Sequence, residues 1–299
     1  MCGIAGYVYN KSSSKDLSIN LIENIKESLA HRGPNDSGFY IENENNLTLI
    51  HTRLSVIDLS SGGKQPMSSS SGRYIICYNG ELYNYKDLKR DLSINGHKFV
   101  SKSDTEVLLT CIEKWGIEDS LRKFEGMFAF ALYDKKLKQL TLVRDRFGEK
   151  PLYYGWLKED FVFGSELKSL KFHKNWEGKI NKYSLNQYLK YSYVPNPYSI
   201  YKNIFKVPPG SLITFKIEEN QCKKIIQNKW FSFEKKINDD SNITYDESKN
   251  YLEELLITSV NNQKISDVPI GSLLSGGIDS SLITSLMQRD NSNKINTFT

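Results

Sequence analysis

The residues with the plainest chemical potential stand at the very start of the chain, Met1-Cys2-Gly3-Ile4-Ala5-Gly6. Removing the initiator Met leaves Cys2 carrying a thiol and a free α-amine on one residue, which is a nucleophile with its own base. An α-amino group titrates near ~7.7 to 8.0 and a lysine amine near ~10.4, so the terminal amine takes up a proton readily at neutral pH and the lysine does not release one. An N-terminal threonine with its own amine is the same arrangement with a hydroxyl. Read alone, Cys2 is equally a small apolar residue opening a strand. A dyad of Cys2 with a histidine is the lesser alternative, because His31, His51, His97 and His173 are dispersed and the amine already supplies a base.

A second candidate lies far downstream. The run from Ser266 to Leu274 reads as a short apolar strand entering Ser275-Gly276-Gly277-Ile278-Asp279-Ser280-Ser281 and then a helix. Small residues let backbone N–H groups approach a phosphate, and the helix start adds partial positive charge. The string is neither GxxxxGK[ST] nor GxGxxG. Its bland reading is a tight turn capped by Asp279 or Ser280.

Such groups need a scaffold. Ile4 to Tyr9 reads as an opening strand, and Leu17, Leu21, Ile22, Ile25 and Leu29 then recur at helical spacing. Runs at Gly38 to Glu42, Leu47 to Thr52, Leu54 to Asp58 and Arg73 to Tyr78 predict strands separated by Gly/Ser/Asn loops. Asn79-Gly80 reads locally as a hairpin turn. Ser103-Asp104-Thr105-Glu106 opens a helix through Trp115 with a capping-box pattern, and Gly116 ends it. Gly126 to Asp134 is apolar on both parities, which suits a strand covered on both faces. Further strands are predicted at Leu140 to Arg144, Leu152 to Trp156, Phe161 to Phe163 and Ser211 to Phe215, with a short helix at Ser165 to Leu170. Strands outnumber helices and the helices fall between groups of strands, an α+β arrangement with paired sheets. Residues Lys216 to Thr244 are charged and Asn-rich and read as a linker, and Tyr245 to Asn261 as an amphipathic helix through Leu252, Leu255, Leu256 and Val260.

Composition narrows the partners. The 299 residues are 39% hydrophobic and 25% charged, an ordinary globular balance with room for about two domains. The formal charge of +5 is spread over 40 basic and 35 acidic residues, with no basic block interleaved with aromatics, which disfavours nucleic acid. No apolar run approaches the roughly 20 residues of a membrane helix and no secretory signal opens the chain, so a cytoplasmic protein without a membrane partner is expected. Cys2, Cys77, Cys111 and Cys222 are scattered, form no CxxC pair and read as reduced thiols, with no protein metal site expected.

In order and spacing, MCGIAGYV, HRGPNDSG, HTRLSVIDLS, YNGELYN, SKSDTEVLL, EGMFAFALYD, RDRFGEKPLYYG, GSELKSL, PPG and SDVPIGSLLSGGIDSS resemble the glutamine-hydrolysing asparagine synthase family from Cys2 to the end. The resemblance implies a class II glutamine amidotransferase domain over residues 2–215, with the α+β N-terminal-nucleophile fold of two antiparallel sheets between helix layers. A linker would span 216–244, and the opening of an α/β ATP pyrophosphatase domain 245–299. By resemblance Cys2 attacks the side-chain amide of glutamine, forming a thioester that water resolves, while its α-amine moves the proton. Asn79 and Gly80 form the oxyanion hole, Arg53 holds the glutamine α-carboxylate, and Glu81 and Asp104 face its α-ammonium. Ser275, Gly276, Gly277, Asp279 and Ser280 hold the pyrophosphate of ATP beside Leu274, with Mg²⁺ bridging the phosphates. The implied enzyme is an ATP-dependent carbon-nitrogen ligase in which ammonia amidates an adenylated aspartate. Outside the resemblance, Arg53 reads as a solvated strand residue, Glu81 as a surface charge and Asp104 as a first-turn helix carboxylate.

Asn35 and Glu149 depart from the family pattern, where Asp and an apolar residue are usual, and neither carries an implied role. Because the sequence ends at Thr299, shortly after the glycine-rich loop, a fragment of a longer synthetase is expected. Two alternatives stay open: an amidotransferase acting on another acceptor, such as a sugar in surface-polysaccharide synthesis, and a glutaminase-only or regulatory glutamine-binding subunit. A homodimer is one option for assembly, which the sequence does not fix. A class II amidotransferase making phosphoribosylamine or glucosamine phosphate is disfavoured, because those enzymes have no SGGIDSS loop.

Overall fold

Alternation along the first strand sets the architecture. In β1 (Gly3–Val8) every residue is buried, with Ile4 and Val8 entering one apolar core and Ala5 and Tyr7 another. A strand with two dry faces belongs in the middle of a layered structure. The computed structural model describes residues 1–10, 18–218, 221–233, 243–289, 291 and 293–299. They divide into two units, Met1–Ser55 with Ser60–Ser232, and Val56–Leu59 with Phe233–Thr299.

The first unit is built on two six-stranded antiparallel sheets. One runs in the order β10 (Ile204–Lys206), β8 (Tyr153–Leu157), β9 (Asp160–Gly164), β1, β3 (Leu47–Arg53), β2 (Asp36–Glu42). The other runs β12 (Gln221–Lys229), β11 (Ser211–Glu218), β7 (Gln139–Arg144), β6 (Gly126–Asp134), β5 (Tyr74–Leu82), β4 (Met67–Ser68). Ile4, Leu49, Cys77, Ala131, Phe161 and Phe215 belong to one buried cluster between the sheets, and the Phe161 and Phe215 rings lie 4.4 Å apart. Each of the Ile, Leu and Phe side chains contributes about 1.5–3 kcal/mol through burial. On the outer face of the first sheet, α1 (Ser18–Leu29) lays Leu21, Ile22, Ile25 and Leu29 against Ala5 and Tyr7. Against β5 of the second lies α3 (Asp104–Trp115), opened by the Ser103 hydroxyl accepting the Thr105 N–H at 3.2 Å; α2 (Tyr85–Ile94) precedes it, and α4 (Ile117–Lys123), α5 (Leu167–Leu170) and α6 (Lys182–Tyr191) follow along the chain. The expected α+β arrangement of two antiparallel sheets between helices is therefore the observed one. Leu17 lies outside the described residues.

Three local expectations fail for tertiary reasons. Asn79-Gly80 is not a hairpin turn but the interior of β5, where Asn79 pairs with Ala129 and Gly80 with Phe128 of β6. A Cβ at position 80 would lie 2.4 Å from the Met127 carbonyl oxygen, so glycine is there for close strand approach. Leu54 to Asp58 is not a strand. The chain leaves the sheet after Arg53, and Val56 O accepts the Asp267 N–H at 2.9 Å within the second unit. Finally, the expected linker from Lys216 shrinks, because 216–218 complete β11 and Gln221–Lys229 form β12, a mostly exposed edge strand whose charged pattern hides its pairing. Residues 219–220 and 234–242 of that segment lie outside the described residues.

In the second unit, Thr244 opens α7 (Tyr245–Gln263) with a capping box to Glu247. Two short parallel strands, β13 (Gly271–Leu273) and β14 (Asn296–Phe298), pair side by side, and α8 (Ile278–Arg289) follows the glycine-rich loop. The Ser272 and Thr284 hydroxyls meet at 2.8 Å and tie α8 to β13.

Candidate active site

Strand register decides what meets at one end of the sandwich. In the β1–β3 ladder Gly3 lies opposite Thr52, which places Cys2 beside the Arg53 end of β3. Side chains two apart share a face, so Cys2 and Arg53 continue the rows of Ile4 and Leu49 that point between the sheets. Asn79 and Glu81 continue the Ile75–Cys77 row of β5 on the facing sheet. The buried His51 Nε2 lies 3.0 Å from the Tyr78 carbonyl and joins these two strand ends. The register thus brings Cys2, Arg53, Asn79 and Glu81 to one place, with Gly80 between the last two.

Cys2 is a partly buried free thiol. Its Sγ accepts the Leu54 N–H at 3.4 Å and faces the Leu54 carbonyl at 3.7 Å, and no histidine bonds it among the described residues. Burial pushes the thiol up from its ordinary value, and the Leu54 backbone pulls it partly back. Such a thiol needs a base, and none of the histidines provides one. His51 is held neutral, its pKa lowered to about 4 by burial. The chain's amino group, here on Met1, is pushed down chiefly by burial, with the Arg32 and Lys150 charges adding to it. An amine so placed gives up its proton more readily than a free one.

The Asn79 side chain is the most telling feature. It is 1% exposed, and neither its Nδ2 nor its Oδ1 has a hydrogen-bond partner. A buried amide left unpaired costs about 1–3 kcal/mol, a cost that a ligand oxygen accepting from Nδ2 removes. Opposite, the buried Arg53 guanidinium donates to the Ser60 carbonyl at 2.9 Å and lies against Gly63, where a Cβ would come within 2.0 Å of Nη2. Gly63 thereby leaves room for a planar fork, which suits bidentate binding of a carboxylate.

Glu81 and Asp104 bring two carboxyl groups to the same end. Asp104 is buried at the start of α3 and accepts the Leu82 N–H at 3.0 Å and the Tyr78 hydroxyl at 3.3 Å. Burial pushes both carboxyls up, and for Glu81 the nearby Asp104 charge pushes further. Two desolvated carboxylates side by side invite a cation.

Two residues without an expected role complete the surroundings. Arg32 is buried, donates from Nε to the Cys2 carbonyl at 2.9 Å and leaves Nη2 without a partner. Lys150 is 5% exposed, and burial lowers its pKa while Glu81 and Glu149 pull it up. The RDRFGEK segment that carries it is knotted by Asp145, which accepts the Phe147, Glu149 and Lys150 N–H groups at 2.9–3.1 Å. Both residues lie inside sequence motifs already picked out, HRGPNDSG and RDRFGEKPLYYG, yet their meeting with Cys2 and Glu81 depends on long-range pairing.

In the second unit, Leu274 donates to the Phe298 carbonyl at 2.7 Å and ends the parallel pair. Gly276 has φ +81° with nothing within 4 Å of the Cβ position, and Gly277 precedes α8. Ser280 bonds Ser275 at 3.0 Å and the Gly277 carbonyl at 3.2 Å, and Asp279 lies exposed in the first turn. This open loop at a helix start fits an anion. Among the described residues no group of three or more His, Cys, Asp or Glu could hold a metal ion, and no helix is long and apolar enough to cross a membrane.

Comparison with known proteins bears on both units. A family profile described as a glutamine amidotransferase domain matches residues 1–229, and one described as asparagine synthase matches 251–299. Asparagine synthetase [glutamine-hydrolyzing] 1 of Bacillus subtilis is 37% identical over 96% of this chain and 44% of its own length. Asparagine synthetase B [glutamine-hydrolyzing] of Escherichia coli is 31% identical over 97% of this chain and 45% of its own. The chain spans about half the length of the curated relatives it matches. Among solved structures, glutamine phosphoribosylpyrophosphate amidotransferase from B. subtilis covers 99% of this chain and 65% of its own, with a TM-score of 0.55 and 17% identity, a likeness of fold alone.

Proposed function

The chain belongs to the glutamine-hydrolysing asparagine synthase family, and from that premise we propose that its first unit is a glutaminase with Cys2, freed of Met1, as nucleophile. The observation that carries the reading is the buried Asn79 amide without a partner, beside the strand end that bears Cys2. Arg53 takes the α-carboxylate of glutamine, and Glu81 and Asp104 take its α-ammonium. The Cys2 α-amine accepts the thiol proton as sulfur attacks the amide carbon, and the oxyanion forms against Asn79 Nδ2 and the Gly80 N–H. The amine then returns the proton to the leaving nitrogen, and ammonia departs. Water, deprotonated by the same amine, opens the thioester to glutamate. Losing one oxyanion donor typically costs about 2.7–4 kcal/mol of transition-state stabilisation.

We further propose that Ser275, Gly276, Gly277, Asp279 and Ser280 hold the pyrophosphate of ATP next to Leu274, with Mg²⁺ on the phosphates and aspartate as acceptor. The exposed left-handed turn at Gly276 and the helix start behind it support the phosphate site. When bound, ATP supplies the activation of the acceptor carboxylate. The loop's own part is to orient phosphate oxygens with backbone N–H groups and with the Ser275 and Ser280 hydroxyls. Four free thiols fit a reducing compartment, the cytoplasm.

The test is ammonia release from glutamine by wild-type, Cys2→Ala and Cys77→Ala proteins. The activity is expected to vanish in Cys2→Ala and to survive in Cys77→Ala, whose thiol is fully buried with its pKa pushed up by burial. Equal activity in wild type and Cys2→Ala would end the assignment.

A further inference from the structure

GSELKSL belongs to the motifs by which the chain resembles its family, yet no step above uses it. In the fold it sits immediately after β9, beside the nucleophile strand. Ser165 is fully buried and clasps Ile4 from both sides, accepting the Ile4 N–H at 3.0 Å through Oγ and donating its own N–H to the Ile4 carbonyl at 2.8 Å. Its neighbour Glu166 accepts from Arg32 Nη1 at 2.9 Å, and the same guanidinium donates from Nε to the Cys2 carbonyl at 2.9 Å. Two consecutive residues thus fix the start of β1 at two points, one directly and one through a cation 134 residues away in sequence.

We propose that Glu166 is a positioning residue for the reaction of Cys2: it aligns and neutralises Arg32, and Arg32 sets the place of the Cys2 main chain, hence of its thiol and α-amine. The inference rests on the glutaminase reading. Arg32 is 8% exposed and its Nη2 has no partner, so Glu166 is the one carboxylate bonded to it among the described residues. A buried guanidinium robbed of its counter-ion is costly and shifts toward other acceptors. Glu166 itself is well anchored, with His31 Nε2 at 3.0 Å and Lys168 Nζ at 3.3 Å. Burial would raise its carboxyl, and the Arg32, His31 and Lys168 contacts outweigh burial and hold it below the ordinary carboxylate range. It stays ionised at neutral pH. Its side-chain bonds go to Arg32, His31 and Lys168 and, among the described residues, none goes to Arg53, Asn79 or Asp104, so it bears on the nucleophile before the glutamine pocket.

That separation supplies the test. Steady-state glutamine hydrolysis is measured on full-length wild-type and Glu166→Gln proteins lacking Met1, with kcat normalised to thiols titrated by a glutamine-like alkylating agent. The expected result is a kcat about tenfold to a hundredfold lower, as for a reacting group displaced by a fraction of an ångström to an ångström, with KM for glutamine within threefold. A residue that only stabilises the fold would lower the titratable fraction and leave the normalised kcat unchanged, and that outcome overturns the proposal. Should Glu166→Gln be recovered only unfolded, Arg32→Lys is read by the same split, since lysine keeps the charge but cannot bond Cys2 and Glu166 in the same geometry. A normalised kcat equal to wild type would again contradict the proposal. Absence of glutaminase activity in the wild-type protein would instead strike the reading on which the inference rests.

Discussion

The two candidate sites are built in opposite ways. At the Cys2 end, Cys2 and Asp104 are held by residues distant in sequence, Cys2 by Leu54 and Arg32 and Asp104 by Tyr78 and Leu82, while Arg53 is held by the nearer Ser60 and the space at Gly63. The loop from Ser275 to Ser280 is exposed and bonded within itself, Ser275 to Ser280 and Ser280 to Gly277. A site assembled by long-range pairing is preorganised and mostly dry, and its electrostatics are worth more for that reason. A local loop at a helix start offers backbone donors and little else. On the proposed reading, the contrast suits bond-breaking to the first unit and anion holding to the second.

The widest expected effect comes from Asn79→Ala, which should lower kcat for glutamine about 10²- to 10³-fold. Because the lost polar atoms have no protein partner, the thermal midpoint should not fall by more than about 2 °C, which corresponds to under about 1 kcal/mol in a unit of this size. A large loss of stability with intact kcat would mean the amide is structural. In the other unit, Gly276→Ala forces a side chain into the left-handed region at a cost of about 1–2 kcal/mol. Titration with ATP should weaken about five- to thirtyfold, while glutamine hydrolysis stays within twofold.

Asp104→Asn gives the smallest and most diagnostic effect. The buried Asp104 carboxyl titrates above its ordinary value, so the folded state binds that proton more tightly than the unfolded chain does. The stability this contributes is complete below the unfolded value and is lost as pH rises through the folded one. Asn mimics the protonated form and still accepts from Leu82. The variant should therefore melt a few degrees higher than wild type at pH 8, with the difference closing toward pH 4, while KM for glutamine rises. A melting difference that grows on acidification would show that the carboxylate stabilises the fold by pairing.

Much of the layering is legible in the sequence, and the exceptions have physical causes. Two-face burial of Gly126 to Asp134, the helical spacing from Leu21 to Leu29 and the cap at Ser103 all survive, because propensity, pattern and packing agree there. Asn79-Gly80 misleads because a strong local turn preference yields to strand pairing, with glycine kept for the approach of Met127. Gln221–Lys229 is hidden because an edge strand with charged exposed positions lacks the alternation of a half-buried one. Of the Cys2 site, residue types are legible and placement is not. Arg32 and Glu166 meet only because β1, α1 and the end of β9 converge, and no window of sequence contains both.

In the proposed reaction one residue, Cys2, bears both sulfur and amine. The most direct measurement is peptide mapping by mass spectrometry after reaction with a glutamine analogue whose side chain carries an electrophilic diazoketone in place of the amide. One adduct per chain is expected, on Cys2, and only on chains that have lost Met1. An adduct on Cys77, Cys111, Cys222 or any other side chain, or an equal yield on chains that retain Met1, would contradict it.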